Sequence, residues 1–361
     1  AILRRCQQRT LPIPADTLAD DVDVLFAGMP PGTADWQRAA VAAVPGARFF
    51  VLTGGPGTGK TTTVVRMLLM LLRHARACGL PAQPSIALAA PTGKAAQRLV
   101  QAIARGKAEL QVSLSQRGSD FSRDSHTQPK LSRLKSLPQD LPLEDRALDL
   151  QEHLHHIPHA DARTLHRLLG YRPMDNTFSH GPRNPLAEDI VVVDEASMVD
   201  LAMMRQLLEA LRPDAVLILL GDPGQLASVD AGSVLADIVA SAPQNQLPSA
   251  MAGLLAPWLQ NAPGTATDDT ALAGRVLTLT HSWRAGSGLQ RGIEALRDTP
   301  DPAWLDTLLR ERADGDLHLR HCPNPQALRA CVDGWIDRHA ELLQTLLTLP
   351  IDASAALQSL H

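Results

Sequence analysis

One stretch constrains this chain more than any other. Phe49-Phe50-Val51-Leu52-Thr53 runs into Gly54-Gly55-Pro56-Gly57-Thr58-Gly59-Lys60-Thr61-Thr62, and an apolar pattern at helical spacing follows from Val64 to Leu72. A strand-length apolar run, a glycine-rich turn and a helix opened by Lys-Thr give the pattern G-x-x-x-x-G-K-[ST] in its proper strand–loop–helix context. Glycines admit backbone conformations closed to other residues, so successive N–H groups can converge on one anion. The free N–H groups and dipole of the following helix favour the same charge. The loop from Gly54 to Thr62 is therefore expected to cradle a nucleoside triphosphate. Lys60 would reach the β- and γ-phosphates, and the Thr61 hydroxyl would ligate Mg²⁺.

Further apolar runs of strand length recur at Ile86–Ala90, Ile190–Val193, Ala215–Leu220 and Val276–Leu279, with helical segments between them. Strands alternating with helices predict an α/β fold, a parallel sheet covered by helices on both faces. Ligands of such sheets bind beyond the carboxyl ends of the strands. The remaining motifs fall just there. Ile190–Val193 ends in Asp194-Glu195, two adjacent carboxylates that are costly after a buried strand unless they meet a cation. Beside a phosphate loop, Asp194 would hold Mg²⁺ and Glu195 would orient and deprotonate the attacking water. Gly221-Asp222-Pro223-Gly224-Gln225 follows the next strand. The Gln225 amide can donate to a γ-phosphate and accept from water, which suits sensing hydrolysis. Pro91-Thr92-Gly93-Lys94 closes a strand and opens a helix, offering hydroxyl, N–H and ammonium groups to a nucleic-acid phosphate.

Bulk properties set the limits. At 361 residues the chain has room for about two domains. A net charge of −4 gives no global basic signature, so a nucleic-acid partner must be held by a local surface. Four cysteines without a C-x-x-C pair indicate neither a zinc site nor a disulfide scaffold; reduced thiols in a cytoplasmic protein are expected. No apolar run is long enough to span a membrane. Residues 1–33 read as the tail of a preceding domain and a linker, and the polar stretch 105–161 as an insertion with some helix. The Glu152–His159 run, rich in histidine, reads as a solvated turn because no cysteine or paired carboxylate completes a metal site.

Taken in order, these motifs resemble those of superfamily 1 DNA helicases, and within them the RecD family, the α subunits of exodeoxyribonuclease V. The resemblance is carried by Trp36-Gln37, the phosphate loop, Pro91–Lys94, Thr164-Leu165-His166-Arg167-Leu168-Leu169-Gly170, Asp194–Asp200, Gly221–Val229 and Gly232–Asp237. It covers roughly residues 35–300. It implies a P-loop NTPase with a RecA-like sheet and an inserted subdomain. Residues 34–280 would form the first motor domain (insertion at about 105–161), and residues 281–361 the start of a second. It further implies that Gln37 reads the adenine edge of ATP, and that Pro91, Thr92, Gly93, Lys94, Thr164 and His166 contact DNA. Gln225 would couple phosphate state to the DNA groove. Ser282-Trp283-Arg284 is similar to the motif whose arginine reaches the γ-phosphate, although Ala285 stands where the family carries an aromatic residue. Nothing after Arg284 resembles the family's last two motifs, so the chain reads as a fragment of a longer motor. The implied activity is ATP-dependent 5′–3′ unwinding of single-stranded and duplex-end DNA, in a heterotrimer with RecB-like and RecC-like subunits. Two alternatives stand beside it: a stand-alone RecD-like helicase, and a nucleotide-dependent structural subunit that clamps DNA.

Overall fold

The structure, a computed structural model, describes residues 2–6, 13–29, 35–122, 143–158, 161–225, 234–242, 245–255, 259, 271–283 and 322–348. Its strands are β1 (Phe49–Gly54), β2 (Ile86–Ala90), β3 (Ala162–Thr164), β4 (Tyr171–Arg172), β5 (Thr177–Phe178), β6 (Ile190–Val193), β7 (Val216–Gly221) and β8 (Val276–Leu279). Its helices are α1 (Ile2–Arg5), α2 (Ala15–Leu25), α3 (Asp35–Ala43), α4 (Lys60–Arg73), α5 (Gly93–Ser122), α6 (Leu143–Leu154), α7 (Leu165–Leu168), α8 (Leu201–Ala210), α9 (Val234–Ser241), α10 (Ser249–Leu255) and α11 (Pro325–Thr348). The chain divides into two compact units, Ala1–Arg284 and Ala285–His361. In the second, the described element is α11, whose first turn is capped by Asn324 Oδ1 accepting from the Ala327 N–H at 2.8 Å.

Six strands form one sheet in the order β3-β2-β6-β7-β1-β8. Every neighbouring pair in it is parallel. Alternation along each strand explains why helices cover both faces. Phe50, Leu52, Leu88, Ile190, Val192, Ile218, Leu220 and Leu277 enter one core with α2 to α6 and α10. Phe49, Val51, Ala89, Val191, Val193, Leu217, Leu219 and Val276 enter the other, with α7, α8 and α9. A sheet buried on both faces needs continuous apolar strands, and this is why β1, β2, β6, β7 and β8 are legible as apolar runs. β3 is not apolar: its residues are half-buried, exposed and half-buried, and it pairs with β2 alone at the sheet edge. Its partial exposure removes the demand for apolar side chains, whereas β8 at the opposite edge is largely buried and stays apolar.

Two stretches differ from the sequence expectation in their packing. The segment expected as tail and linker is part of the first unit's core. Leu18, Val22, Leu25 and Phe26 are buried there, and Arg5 donates to the carbonyls of Ala215 (2.8 Å), Leu211 (3.1 Å) and Arg212 (2.7 Å). The polar stretch from 105 begins as a continuation of α5, with Leu99, Ile103, Leu110 and Leu114 on its buried side. Their spacing of four, seven and four residues is helical, though surrounding polar residues dilute it. α6 returns along α5 and brings Ala147, Leu150 and Leu154 into the same core.

An ionic cluster fastens α2, α4 and α6 together. Asp21 is fully buried; its Oδ2 lies 3.1 Å from Arg73 Nε and 2.6 Å from His74 Nε2, and its Oδ1 lies 3.1 Å from Arg146. Arg73 also meets Asp149 at 3.0 Å, and Arg146 meets Asp20 at 3.1 Å. Buried charges persist only when paired in this way; Arg73 Nε and Nη2 nonetheless make no hydrogen bond among the described residues. Among the described residues no helix is long and apolar enough to cross a membrane.

Candidate nucleotide and nucleic-acid site

The phosphate loop leaves β1 at Gly54 and enters α4 at Lys60, at the carboxyl edge of the sheet. Gly59, the residue before the helix, has φ +80°, a left-handed conformation that side chains rarely adopt. A Cβ there would also stand 2.5 Å from Gln37 Nε2. Lys60 folds back on its own loop, donating to the carbonyls of Gly54 at 2.6 Å and Gly55 at 3.2 Å. Thr58 Oγ1 donates to the Gly55 carbonyl at 2.9 Å. Thr61 and Thr62 stand half-buried in the first turn of α4.

Two contacts from outside fix the loop's outward carbonyls. Gln37, 5% exposed on α3, donates through Nε2 to the Thr58 carbonyl at 3.0 Å. The Trp283 backbone N–H donates to the Gly57 carbonyl at 2.9 Å. With one N–H of its amide committed to Thr58, Gln37 keeps its second N–H and its amide oxygen for a base. That oxygen can accept from an amino group such as adenine N6–H, and repels a carbonyl at the same place.

Asp194 and Glu195 follow β6, two strands from β1 across β7. Burial pushes the Asp194 carboxyl up from its ordinary value, opposed by the Glu195 N–H and the Lys60 ammonium and reinforced by the Glu195 charge. The coulombic effect of Lys60 puts loop and carboxylate in one electrostatic environment. Glu195 stands at φ 53°, ψ 40°, left-handed for a non-glycine residue, and in that conformation its N–H reaches Asp194 Oδ1 at 2.9 Å. Such backbone strain is typical of functional turns. Gln225 is exposed, and its Nε2 donates to Asp222 Oδ2 at 3.3 Å. Arg284 lies outside the described residues, as does the segment Leu226–Ser233.

The expected nucleic-acid contacts gather on the neighbouring part of the same edge. Pro91 is half-buried, and Thr92, Gly93 and Lys94 are exposed. Thr92 caps α5, its Oγ1 accepting from the Ala95 N–H at 3.2 Å. Thr164, paired in register with Ala90, caps α7 in the same manner, accepting from the Arg167 N–H at 3.3 Å. Both threonines thus have a local structural task. His166 is exposed, its ring 5.2 Å edge-on from Tyr171 and 6.1 Å from Phe178. Tyr171 and Phe178 face each other across the short antiparallel pair β4–β5. The sequence reading did not single out either residue. The signal was present, because the chain has one tyrosine and five phenylalanines, and one of each flanks this histidine in the fold. Arg163, Arg167 and Arg172 are exposed around them, with Arg163 paired to Asp161 at 2.9 Å and Arg172 donating to Ser179 Oγ at 3.0 Å.

Comparison with known proteins follows the same lines. Residues 37–231 match a family model described as an AAA domain, AAA_19. The chain is 42% identical over 234 residues to the RecBCD enzyme subunit RecD of Mycolicibacterium smegmatis, covering 62% of this chain and 35% of that protein. It is 38% identical over 230 residues to the subunit of the same name from Haemophilus influenzae, covering 64% and 30%. With the ATP-dependent RecD2 DNA helicase of Deinococcus radiodurans it shares 31% over 234 residues, covering 65% and 24%. The chain therefore spans about a third or less of the length of these relatives.

Proposed function

Because the chain belongs to the AAA domain family AAA_19, we propose that it is the nucleotide-hydrolysing motor part of a RecD-type, ATP-dependent 5′–3′ DNA helicase. It works on single-stranded and duplex-end DNA with RecB-like and RecC-like subunits, in the cytoplasm, during double-strand-break repair and recombination. Residues 34–280 are the first motor domain in this reading, and residues 281–361 begin the second. One observation carries it: Lys60, the Asp194-Glu195 pair and Gln225 stand at the carboxyl ends of three adjacent strands, β1, β6 and β7. Relatives named RecBCD subunits range from 28% to 42% identity, with the RecD2 helicase at 31%, and the subunit reading follows the highest of these matches.

The donor set suits a magnesium-bound triphosphate. The loop from Gly54 to Gly59, Pro56 apart, offers backbone N–H groups, and Lys60 offers an ammonium that reaches the loop carbonyls of Gly54 and Gly55. Thr61 and Asp194 would hold Mg²⁺, which when bound neutralises phosphate charge. Glu195 takes the proton of the attacking water, Gln225 registers the γ-phosphate, and Arg284 stabilises the charge that develops there. Lys94, Arg163, Arg167 and Arg172 attract the DNA backbone; His166, Tyr171 and Phe178 offer ring faces to unpaired bases. A clamp that did not hydrolyse ATP would have no use for Glu195 beside Asp194.

The test is nucleotide binding and DNA-stimulated ATP hydrolysis by the chain and by Lys60→Gln. Loss of hydrolysis with intact folding is expected; unchanged turnover in the variant would overturn the assignment of the loop. Unwinding of 5′-tailed against 3′-tailed duplexes by the full-length protein with its partner subunits reads the polarity. Preference for a 3′ tail would refute that part.

A further inference from the structure

Ser197 stands two residues after the second carboxylate, in the short turn Ala196–Met198. It is 1% exposed, and its hydroxyl has no hydrogen-bond partner among the described residues. The turn presses against the end of β7: a Cβ placed on Gly221 would stand 3.2 Å from the Ser197 N and 3.5 Å from the Ala196 N. Leu235 closes the same space, at 2.4 Å from that position. Ser197 therefore sits where the Asp194-Glu195 turn meets the Gly221–Gln225 loop.

Two unfavourable features share this turn. A buried hydroxyl is normally paired, and leaving it unpaired forfeits its solvation. A glutamate in the left-handed region carries strain of its own. Neither is explained by packing in the present arrangement. Both become reasonable in a turn with a second arrangement, in which the hydroxyl is paired and the backbone relaxed. The Gly221 end of the Gly221–Gln225 loop is the neighbouring backbone against which such a rearrangement would occur.

We propose that Ser197 is a positioning residue for hydrolysis: its hydroxyl gains a partner in the nucleotide-bound arrangement, and that bond sets Glu195 in place. The proposal rests on the nucleotide-hydrolysis reading above and adds to it the link between the two loops. A hydroxyl paired in one state and unpaired in the other biases the equilibrium between them, by an amount equal to the difference in its interaction.

The experiment compares the 361-residue chain with Ser197→Ala by thermal unfolding, with and without Mg²⁺ and a non-hydrolysable ATP analogue. Single-turnover hydrolysis is measured on both. Without nucleotide the variant melts at or above the temperature of the parent, because it has lost an unpaired group. The analogue raises its melting temperature less than it raises the parent's. Hydrolysis slows about tenfold, a change of about 1.4 kcal/mol in the barrier, with KM for ATP within about twofold of the parent. Ser197→Cys, close in shape and a weaker donor, falls between. The proposal is overturned if the variant melts lower without nucleotide, since the hydroxyl was then already bonded. It is equally overturned if the analogue stabilises both proteins alike. If the analogue leaves the parent's melting temperature unchanged, the phosphate-loop reading itself fails, and the role of Ser197 goes with it.

Discussion

Asp21→Ala is expected to cost the first unit about 3 kcal/mol. Asp21 is fully buried and is the shared partner of Arg73, His74 and Arg146, at 2.6 to 3.1 Å. Removing one member of a buried ion pair leaves the other charge uncompensated, which costs roughly 3–5 kcal/mol. The lower end applies here because each arginine keeps a second acid. Arg73 retains Asp149 at 3.0 Å, and Arg146 retains Asp20 at 3.1 Å, although that carboxylate is 48% exposed and correspondingly screened. At about 2.1 cal/mol/K of unfolding entropy per residue, a unit of this size shifts by roughly 1.7 °C per kcal/mol, so the melting temperature falls by about 5 °C.

Urea unfolding is the direct assay, with the midpoint falling and the slope m unchanged. A control separates charge from shape: replacing Asp21, Arg73 and Arg146 together by Leu, Met and Leu is expected to recover most of the loss, since buried ion clusters exchange for apolar packing at little cost. A single Asp21→Ala variant within 0.5 kcal/mol of the parent, at equal m, would refute the reasoning. It would mean that the cluster is solvated and that α2 is no part of the core.

Three further outcomes are expected. Asp194→Asn stabilises the protein at neutral pH while removing hydrolysis. Burial raises the folded-state pKa above the ordinary value of about 3.9. The folded state then binds the proton more tightly than the unfolded state, and stability falls as pH rises through that window. The variant lacks this fall, so stability curves of the two proteins converge in acid and separate above it; parallel curves would contradict the shift. Glu195→Gly matches or exceeds the stability of Glu195→Ala by up to about 1 kcal/mol, because only glycine relieves the left-handed backbone. Both variants lose hydrolysis, and thermal unfolding with an ATPase assay checks the pair. Gln37→Ala weakens ATP and GTP binding together by about fivefold through the lost bond to the Thr58 carbonyl, worth about 1 kcal/mol, and ATP somewhat further through the lost acceptor. Unchanged GTP affinity would mean that the side chain reads the base and does not hold the loop.

What the sequence reveals of this fold follows from how each residue is stabilised. β1, β6 and β7 lie in the interior of a sheet buried on both faces, so local composition alone marks them as apolar runs. Glycine spacing marks the phosphate loop for a similarly local reason, since left-handed Gly59 cannot be another residue without strain. β3 escapes because its partial exposure demands no apolar side chains. The buried cluster around Asp21 escapes for a different reason. Asp20-Asp21-Val22-Asp23 has the composition of a solvated acidic face, and only Arg73 and Arg146, distant in sequence, make Asp21 an interior residue.

The same distinction separates the chemistry of the site from its control. Lys60, Thr61, Asp194, Glu195 and Gln225 are legible because phosphate and metal chemistry dictates residue types at fixed places after strands. Gln37, Trp283 and Ser197 stand in motifs that the resemblance names, but the contacts by which they hold the loops are not legible there. Gln37 on the Thr58 carbonyl, Trp283 on the Gly57 carbonyl and Ser197 against Gly221 arise from contacts across the fold. Each sits on a loop carbonyl or a turn whose movement changes where a phosphate or a water is held. In the motor reading proposed above those positions change during every cycle, so the residues bearing on the loops are where coupling between nucleotide and DNA can be adjusted. Substitutions at Gln37 and Ser197 should therefore change the response of hydrolysis to DNA, whereas substitutions at Lys60 or Glu195 remove hydrolysis whether DNA is present or not.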